Sequence, residues 1–291
     1  IVRNLKILIF GAYSNFGKIL SKYLKKKNYR IYKTGRAKHS QVKINGVNSI
    51  PHILKEKSPD LIINLIGETN VDFCEKYKER AYEANVRSLE KIYKSKKAHK
   101  LNFKLIHISS DQVYSKSKSQ SSSKEKDVNP INYYAKSKIR GEKIALKMKS
   151  VILRTNFVGK QSISRKLSFT DWIYLTSLKK KKINGFKNIY FNPLHTSSLC
   201  KVIEKIINYK NIYGIFNAGS KKGISKGMFI YEFLKKFKRE DLIKLKNYSP
   251  SMSIARRPLN MKMNTTKLEN KLKIRLPDIN KEILKSINDY L

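Results

Sequence analysis

The sequence predicts an α/β protein with a doubly wound, mostly parallel central sheet. Three observations carry that expectation. Short apolar runs alternate with amphipathic stretches through the first half of the chain. A glycine turn joins the first apolar run to the first amphipathic stretch, and a strongly helical segment, Tyr133 to Lys149, leads straight into another apolar run, Val151 to Arg154.

Lys6 to Phe10 reads as a central strand. Asn15 to Lys27 reads as the helix after it, with Phe16, Ile19, Leu20, Tyr23 and Leu24 spaced to share one inner face. Tyr29 to Lys33 and Asp60 to Leu65 read as further strands, the second set off by Pro59. Asp72 to Lys97 reads as one or two helical segments, and Phe103 to Ser109 as another strand. Past Arg154 the alternation loosens. Helices are expected at Thr170 to Lys182, Ser197 to Tyr209 and Lys226 to Phe237, short strands at Ile189 to Phe191 and Gly214 to Asn217, and short helices from Thr265. Two polar segments, Ser115 to Asn129 and Lys160 to Ser168, read as loops, the first as a mobile flap.

With 291 residues, 40% of them hydrophobic, the chain can bury one or two cores. Its apolar runs are far too short to cross a bilayer. Arg3 and the run from Ile7 do not make an export signal, because Gly11 and Asn15 break the run and no small-residue cleavage site follows. Cys74 and Cys200 supply neither a disulfide framework nor metal-ligand spacing, so a reducing cytoplasm is expected and no metal site. Lys plus Arg number 64 against 21 Asp plus Glu, a formal net charge of +43. The lysines are spread through nearly every helix and turn, and neither zinc-finger spacing nor an aromatic RNA-binding motif accompanies them. The charge therefore reads as a solvated basic surface that draws in anionic substrates, with no specific nucleic-acid role.

The glycine turn carries the first chemical signal. Gly11 permits a tight turn after the strand, and Gly17 lets the following helix pack closely on the sheet. The N–H groups at that helix start, around Ser14, Asn15 and Phe16, can hold a pyrophosphate. Ser14 stands where a middle glycine is usual. The second strand ends in Thr34, Gly35 and Arg36, with no acid to grip a free ribose 2′-hydroxyl. Arg36, with Lys38 nearby, suits a 2′-phosphate, so NADPH is preferred over NADH. Together these features make the sheet a Rossmann-type dinucleotide-binding sheet.

Tyr134 and Lys138 lie one helical turn apart and so share a face. An ammonium beside a phenol lowers a pKa that starts near ~10. A tyrosine so tuned can give a proton to a carbonyl oxygen. Ser110, at the end of the strand before the flap, can hydrogen-bond the same oxygen. With 17 tyrosines in the chain, the spacing alone would arise by chance. The surroundings matter more.

The run Asn129-Pro130-Ile131-Asn132-Tyr133-Tyr134-Ala135-Lys136-Ser137-Lys138-Ile139-Arg140-Gly141-Glu142 resembles the catalytic helix of extended short-chain dehydrogenase/reductases, within them most closely the dTDP-4-dehydrorhamnose reductase branch. Ile108 to Tyr114 is similar to the family's catalytic serine/threonine strand end. Pro59 to Asn64, followed by Thr69 to Asp72 and Glu75, is similar to its fourth-strand region. Asn85 matches a helix asparagine that supports the lysine. Arg154 to Gly159 resembles the crossing into the substrate lobe, and Arg257-Pro258, Asn264 and Lys267-Leu268 its C-terminal substrate side.

The resemblance implies a cofactor domain over residues 1–153 with a returning segment near 188–222, and a smaller substrate-binding lobe from 154–187 and 223–291. It implies Ser110, Tyr134 and Lys138 as catalytic residues. Gly11, Ser14, Asn15, Phe16, Gly17, Arg36, Asn64, Thr69, Tyr134 and Lys138 would contact the cofactor, and Asp111, Arg154 and Arg257 the substrate. The implied activity is NADPH-dependent reduction of a nucleotide-linked 4-keto-6-deoxy sugar, by a homodimer without a membrane. Some related reductases respond to Mg²⁺, for which no ligand cluster appears here. Two departures, Ser14 and the segment Leu65-Ile66-Gly67-Glu68, leave two alternatives open: a cofactor-retaining epimerase or dehydratase, and a non-catalytic regulatory homologue. His195 reads as structural, and Asp171 as a helix-capping residue.

Overall fold

The computed structural model describes residues 5–36, 40–116, 121–161 and 167–291. The chain forms two compact units. The first comprises residues 1–110, 132–154 and 204–216, and the second 111–131, 155–203 and 217–291.

The first unit is built on strands β1 (Lys6–Phe10), β2 (Arg30–Gly35), β3 (Val42–Lys43), β4 (Leu61–Asn64), β5 (Lys104–Ser110) and β6 (Val151–Thr155), joined by helices α1 (Asn15–Lys26), α2 (Ile50–Lys57), α3 (Val71–Lys76), α4 (Lys78–Tyr82), α5 (Ser88–Ala98) and α6 (Tyr133–Leu146). With the later strand Gly214–Ala218 they make a seven-stranded sheet in the order Gly214–Ala218, β6, β5, β4, β1, β2, β3. The pairings of β1 with β2 and β4, of β4 with β5, and of β2 with β3 are parallel. The order reverses beside β1, the switch point outside which such sheets bind ligands. Ile7 to Phe10 and Leu61 to Asn64 are wholly buried, as expected of strands covered by helices on both faces. Leu8, Phe10, Ile62, Leu89, Leu105 and Ile152 belong to the core of this unit.

Three details depart from the sequence reading. The connection from β2 to β4 contains the added strand β3 and helix α2, too short and too lysine-rich to stand out in the pattern. The stretch from 71 to 98 is α3, α4, a π-helical turn at Glu83–Arg87, and α5. The extra residue per turn in a π segment re-aims side chains, and Asn85 sits in it.

The second unit has its own core, including Val158, Ile173, Phe191, Phe229, Phe233 and Ile283. Its helix Phe169–Leu178 starts at Ser168, whose hydroxyl accepts from the Asp171 N–H while Asp171 reaches back to the Ser168 backbone. Asp171 thus completes a capping box rather than serving as the cap itself. In the segment read as a flap, residues 117–120 lie outside the described residues. Lys116 and Ser123 form isolated bridges to Asn260 and Met263. His195 bonds Ser197 through Nδ1 (2.7 Å) and Asp289 through Nε2 (2.9 Å), a staple internal to this unit. No helix among the described residues is long and apolar enough to cross a membrane.

Candidate cofactor and catalytic site

In the first unit a cavity of about 590 Å³ opens beside the glycine turn, with Gly11, Ser14, Gly35, Arg36, Glu68 and Arg80 in its wall. The turn is shaped by two glycines for different reasons. Gly11 has φ +78, a left-handed conformation that a side chain would strain. A Cβ on Gly17 would lie 2.3 Å from the Gly11 carbonyl oxygen, so only glycine lets α1 approach this closely. Ser14 is different. Its backbone is extended (φ −66, ψ 165), which any residue tolerates, and its hydroxyl caps α1 by accepting from the Gly17 N–H at 3.1 Å. The missing middle glycine is therefore replaced by a helix cap in the cavity wall.

These residues fit a dinucleotide. The positive end of α1 meets the cavity at Ser14, where a pyrophosphate would be held. The Arg36 guanidinium, in the same wall, makes no ion pair or hydrogen bond to another described residue. Lys38 lies outside the described residues. Phe16 and Gly17 are buried on the inner face of α1, and Thr69 is exposed. Glu68 lines the cavity, but its Oε1 accepts the Asn70 N–H at 2.8 Å.

Asn64, expected at the cofactor, lies wholly buried at the end of β4 and is absent from the cavity wall. Its Oδ1 accepts the Ile66 N–H (3.1 Å), and its amide donates to His107 Nδ1 (3.2 Å). Its Oδ1 thus holds the 65–68 segment, which does line the cavity, while its amide ties β4 to β5, so Asn64 positions the wall rather than forming it. Burial, and after it the nearby charge of Lys138, push His107 well below the usual imidazole range.

The catalytic candidates Ser110, Tyr134 and Lys138 all belong to this unit, and all are buried. Asn132 caps α6 by accepting the Ala135 N–H, and the Tyr133 N–H donates to Glu75 at 2.8 Å, fixing the helix start that carries Tyr134. One turn on, Lys138 Nζ donates to the Ile108 carbonyl of β5 at 2.8 Å. Burial lowers the Lys138 ammonium to about 8, against the opposing pull of Glu142.

Asn85, matched only by resemblance, proves to be a hub. Its amide donates to Ser137 Oγ (2.9 Å), its Oδ1 accepts the Glu68 N–H (2.9 Å), and Ser137 in turn donates to the Tyr134 carbonyl (2.7 Å). It thus ties the cavity wall to the helix of Tyr134 and Lys138.

Arg154 does not present its fork to a ligand. Nε and Nη2 bond the two carboxylate oxygens of Glu142 at 2.9 and 2.6 Å, both residues are buried, and Glu142 also accepts from Ser109. Sequence reasoning missed this pair, although Glu142 lay in the quoted helix. In the second unit, Asp111 is buried and accepts from Asn156 Nδ2 at 2.8 Å, while Arg257 is half-buried. Among the described residues no group of three or more His, Cys, Asp or Glu could hold a metal ion.

Fold and site together define an extended short-chain dehydrogenase/reductase. The chain belongs to the RmlD substrate binding domain family, whose model matches residues 5–291. It is 27% identical over 298 residues to the dTDP-4-dehydrorhamnose reductase of Aggregatibacter actinomycetemcomitans, covering 98% of this chain and 99% of that protein. A dTDP-4-dehydrorhamnose reductase from Bacillus anthracis, crystallised in complex with NADP, superposes with a TM-score of 0.85 at 20% identity, covering 98% of this chain and 99% of that one. A Clostridium acetobutylicum dTDP-4-dehydrorhamnose reductase superposes with a TM-score of 0.84 at 25% identity, with coverage of 98% and 99%.

Proposed function

We propose that the protein is an NADPH-dependent reductase of a nucleotide-linked 4-keto-6-deoxy sugar. The observation that carries this reading is the placement of Tyr134 and Lys138 one turn apart on a helix pinned to Ile108, in the same unit as the glycine-turn cavity. The end-to-end likeness to a dTDP-4-dehydrorhamnose reductase supports the substrate class. Arg36 in the cavity wall, without an ion-pair partner among the described residues, and a structural neighbour crystallised with NADP support the cofactor.

Bound NADPH supplies a hydride to the carbonyl carbon. The protein's part is the proton. The Tyr134 hydroxyl gives its proton to the carbonyl oxygen, and Ser110 donates a hydrogen bond to that oxygen. The Lys138 ammonium stabilises the phenolate that Tyr134 becomes. Asn85 acts indirectly, by holding the 67–68 backbone and the Tyr134 turn in place. Asp111 and Arg257 take the substrate-contact role implied by the resemblance, and Arg154 is left out of it. A cytoplasmic homodimer, with a cofactor domain and a substrate lobe, completes the proposal.

Purified protein given dTDP-4-keto-6-deoxy-L-mannose should consume NADPH. Tyr134→Phe should lower turnover by roughly 10² to 10⁴-fold while cofactor binding persists. An unchanged rate in that variant would sink the mechanism.

A further inference from the structure

The cavity beside the glycine turn carries four charged side chains: Arg36, Glu68, Arg80 and Glu83. Their pairing is uneven. The Glu83 carboxylate is matched by Arg87 at 2.5 Å, and Arg87 also reaches Glu79 at 3.1 Å. Glu68 is held by the Asn70 N–H. The two remaining guanidinium groups, Arg36 at the end of β2 and Arg80 on α4, have no ion pair or side-chain hydrogen bond with any described residue, yet both line the same cavity.

A guanidinium in a cavity wall with no carboxylate partner favours an anion beside it. Guanidinium groups also present forked donors that match phosphate oxygens. The same wall has parts suited to a flat purine: Val47 and Ala84 are apolar, and Gly46 offers no side chain. We propose that Arg80 is a specificity-determining residue which, with Arg36, makes a two-arginine subsite for the 2′-phosphate of an adenosine nucleotide in this cavity. The inference rests on the reading of the cavity as a cofactor site, and assigns Arg80 a role that no motif in the sequence marks.

The test is binding, measured by calorimetry on the whole protein with 2′,5′-ADP and 5′-ADP as probes, and inorganic phosphate as a control. For wild type, 2′,5′-ADP should bind at least about tenfold more tightly than 5′-ADP, an advantage that shrinks as salt rises. Arg80→Gln should weaken 2′,5′-ADP by about tenfold or more and 5′-ADP by less than about twofold, and Arg80→Lys should recover part of the loss. Arg80 is exposed, so both variants should fold, which circular dichroism checks. An Arg80→Gln protein that keeps the wild-type ratio of the two affinities overturns the proposal, as does equal weakening of both probes. If 2′,5′-ADP binds no better than phosphate alone and NADPH does not bind, the cofactor reading itself fails. If NADPH binds normally and only the Arg80 effect is missing, that reading stands and the arginine subsite falls.

Discussion

Gly141 on α6 faces the backbone carbonyl of Asn85 so closely that a Cβ at 141 would lie 2.3 Å from that oxygen. The helix that carries Tyr134 and the π-helical turn therefore meet backbone to backbone, which is how the Asn85 amide reaches Ser137 one turn along. Two effects oppose each other in Gly141→Ala. Helix propensity favours alanine by about 1 kcal/mol. Overpacking against a backbone oxygen costs about 1–3 kcal/mol or more. Because the contact is with backbone on both sides, the clash should win. Thermal denaturation should show a lower Tm and, with α6 displaced, a lower kcat. A rise in Tm would mean that the two helices are free to separate.

Lys138 should leave two signatures of opposite sign. Its folded-state value, about 8, lies below the ordinary 10.5 because the ammonium is buried. Below about pH 8 both states are charged, and the folded state carries the full burial penalty. Between about 8 and 10.5 the unfolded chain binds more protons, so the penalty is relieved and stability rises with pH. The difference in unfolding free energy between wild type and Lys138→Met should shift in favour of wild type from pH 7 to pH 10. Catalysis needs the charge, so kcat/KM for the cofactor, which reports on the cofactor-free enzyme, should fall above about pH 8. Equal stability differences at the two pH values would rule out a depressed lysine.

Much of this was legible in the sequence. The strands β1, β4 and β5 were visible as apolar runs because both sheet faces are covered, and Tyr134, Lys138 and Ser110 were visible because their neighbours match a known helix and strand end. What stayed hidden depends on contacts distant in sequence. Nothing local says that Arg154 will meet Glu142 or that Asn64 will meet His107, since each pair forms only when separate segments pack. Arg80 was invisible for another reason: in a chain with 64 basic residues, one more on a helix carries no signal until a cavity is found beside it.

The Arg154–Glu142 pair separates a packing role from a ligand-binding one. Removing one member of a buried ion pair leaves the other uncompensated, at a cost of roughly 3–5 kcal/mol. Arg154→Met should therefore be strongly destabilised in urea. The double variant Arg154→Met, Glu142→Leu should recover more than half of the loss, although Ser109 then loses its acceptor. A single variant that kept full stability and lost only nucleotide-sugar affinity would restore Arg154 as a substrate contact.

Ser14 distinguishes a damaged dinucleotide turn from a rebuilt one. Because its φ is −66, the position does not need glycine, and what the serine adds is the cap on the Gly17 N–H. Ser14→Ala removes that cap and should cost about 1 kcal/mol of stability, whereas Ser14→Gly should cost only a few tenths, since glycine is itself tolerated at such caps. Neither should change NADPH affinity by more than about twofold, because the backbone donors that would face a pyrophosphate survive both changes. Gly17→Ala should behave differently, since its new Cβ would collide with the Gly11 carbonyl and push α1 off the turn. NADPH affinity there should fall by more than about tenfold. Calorimetry on the three variants checks this, and a tenfold loss in Ser14→Gly would show that the hydroxyl itself grips the cofactor.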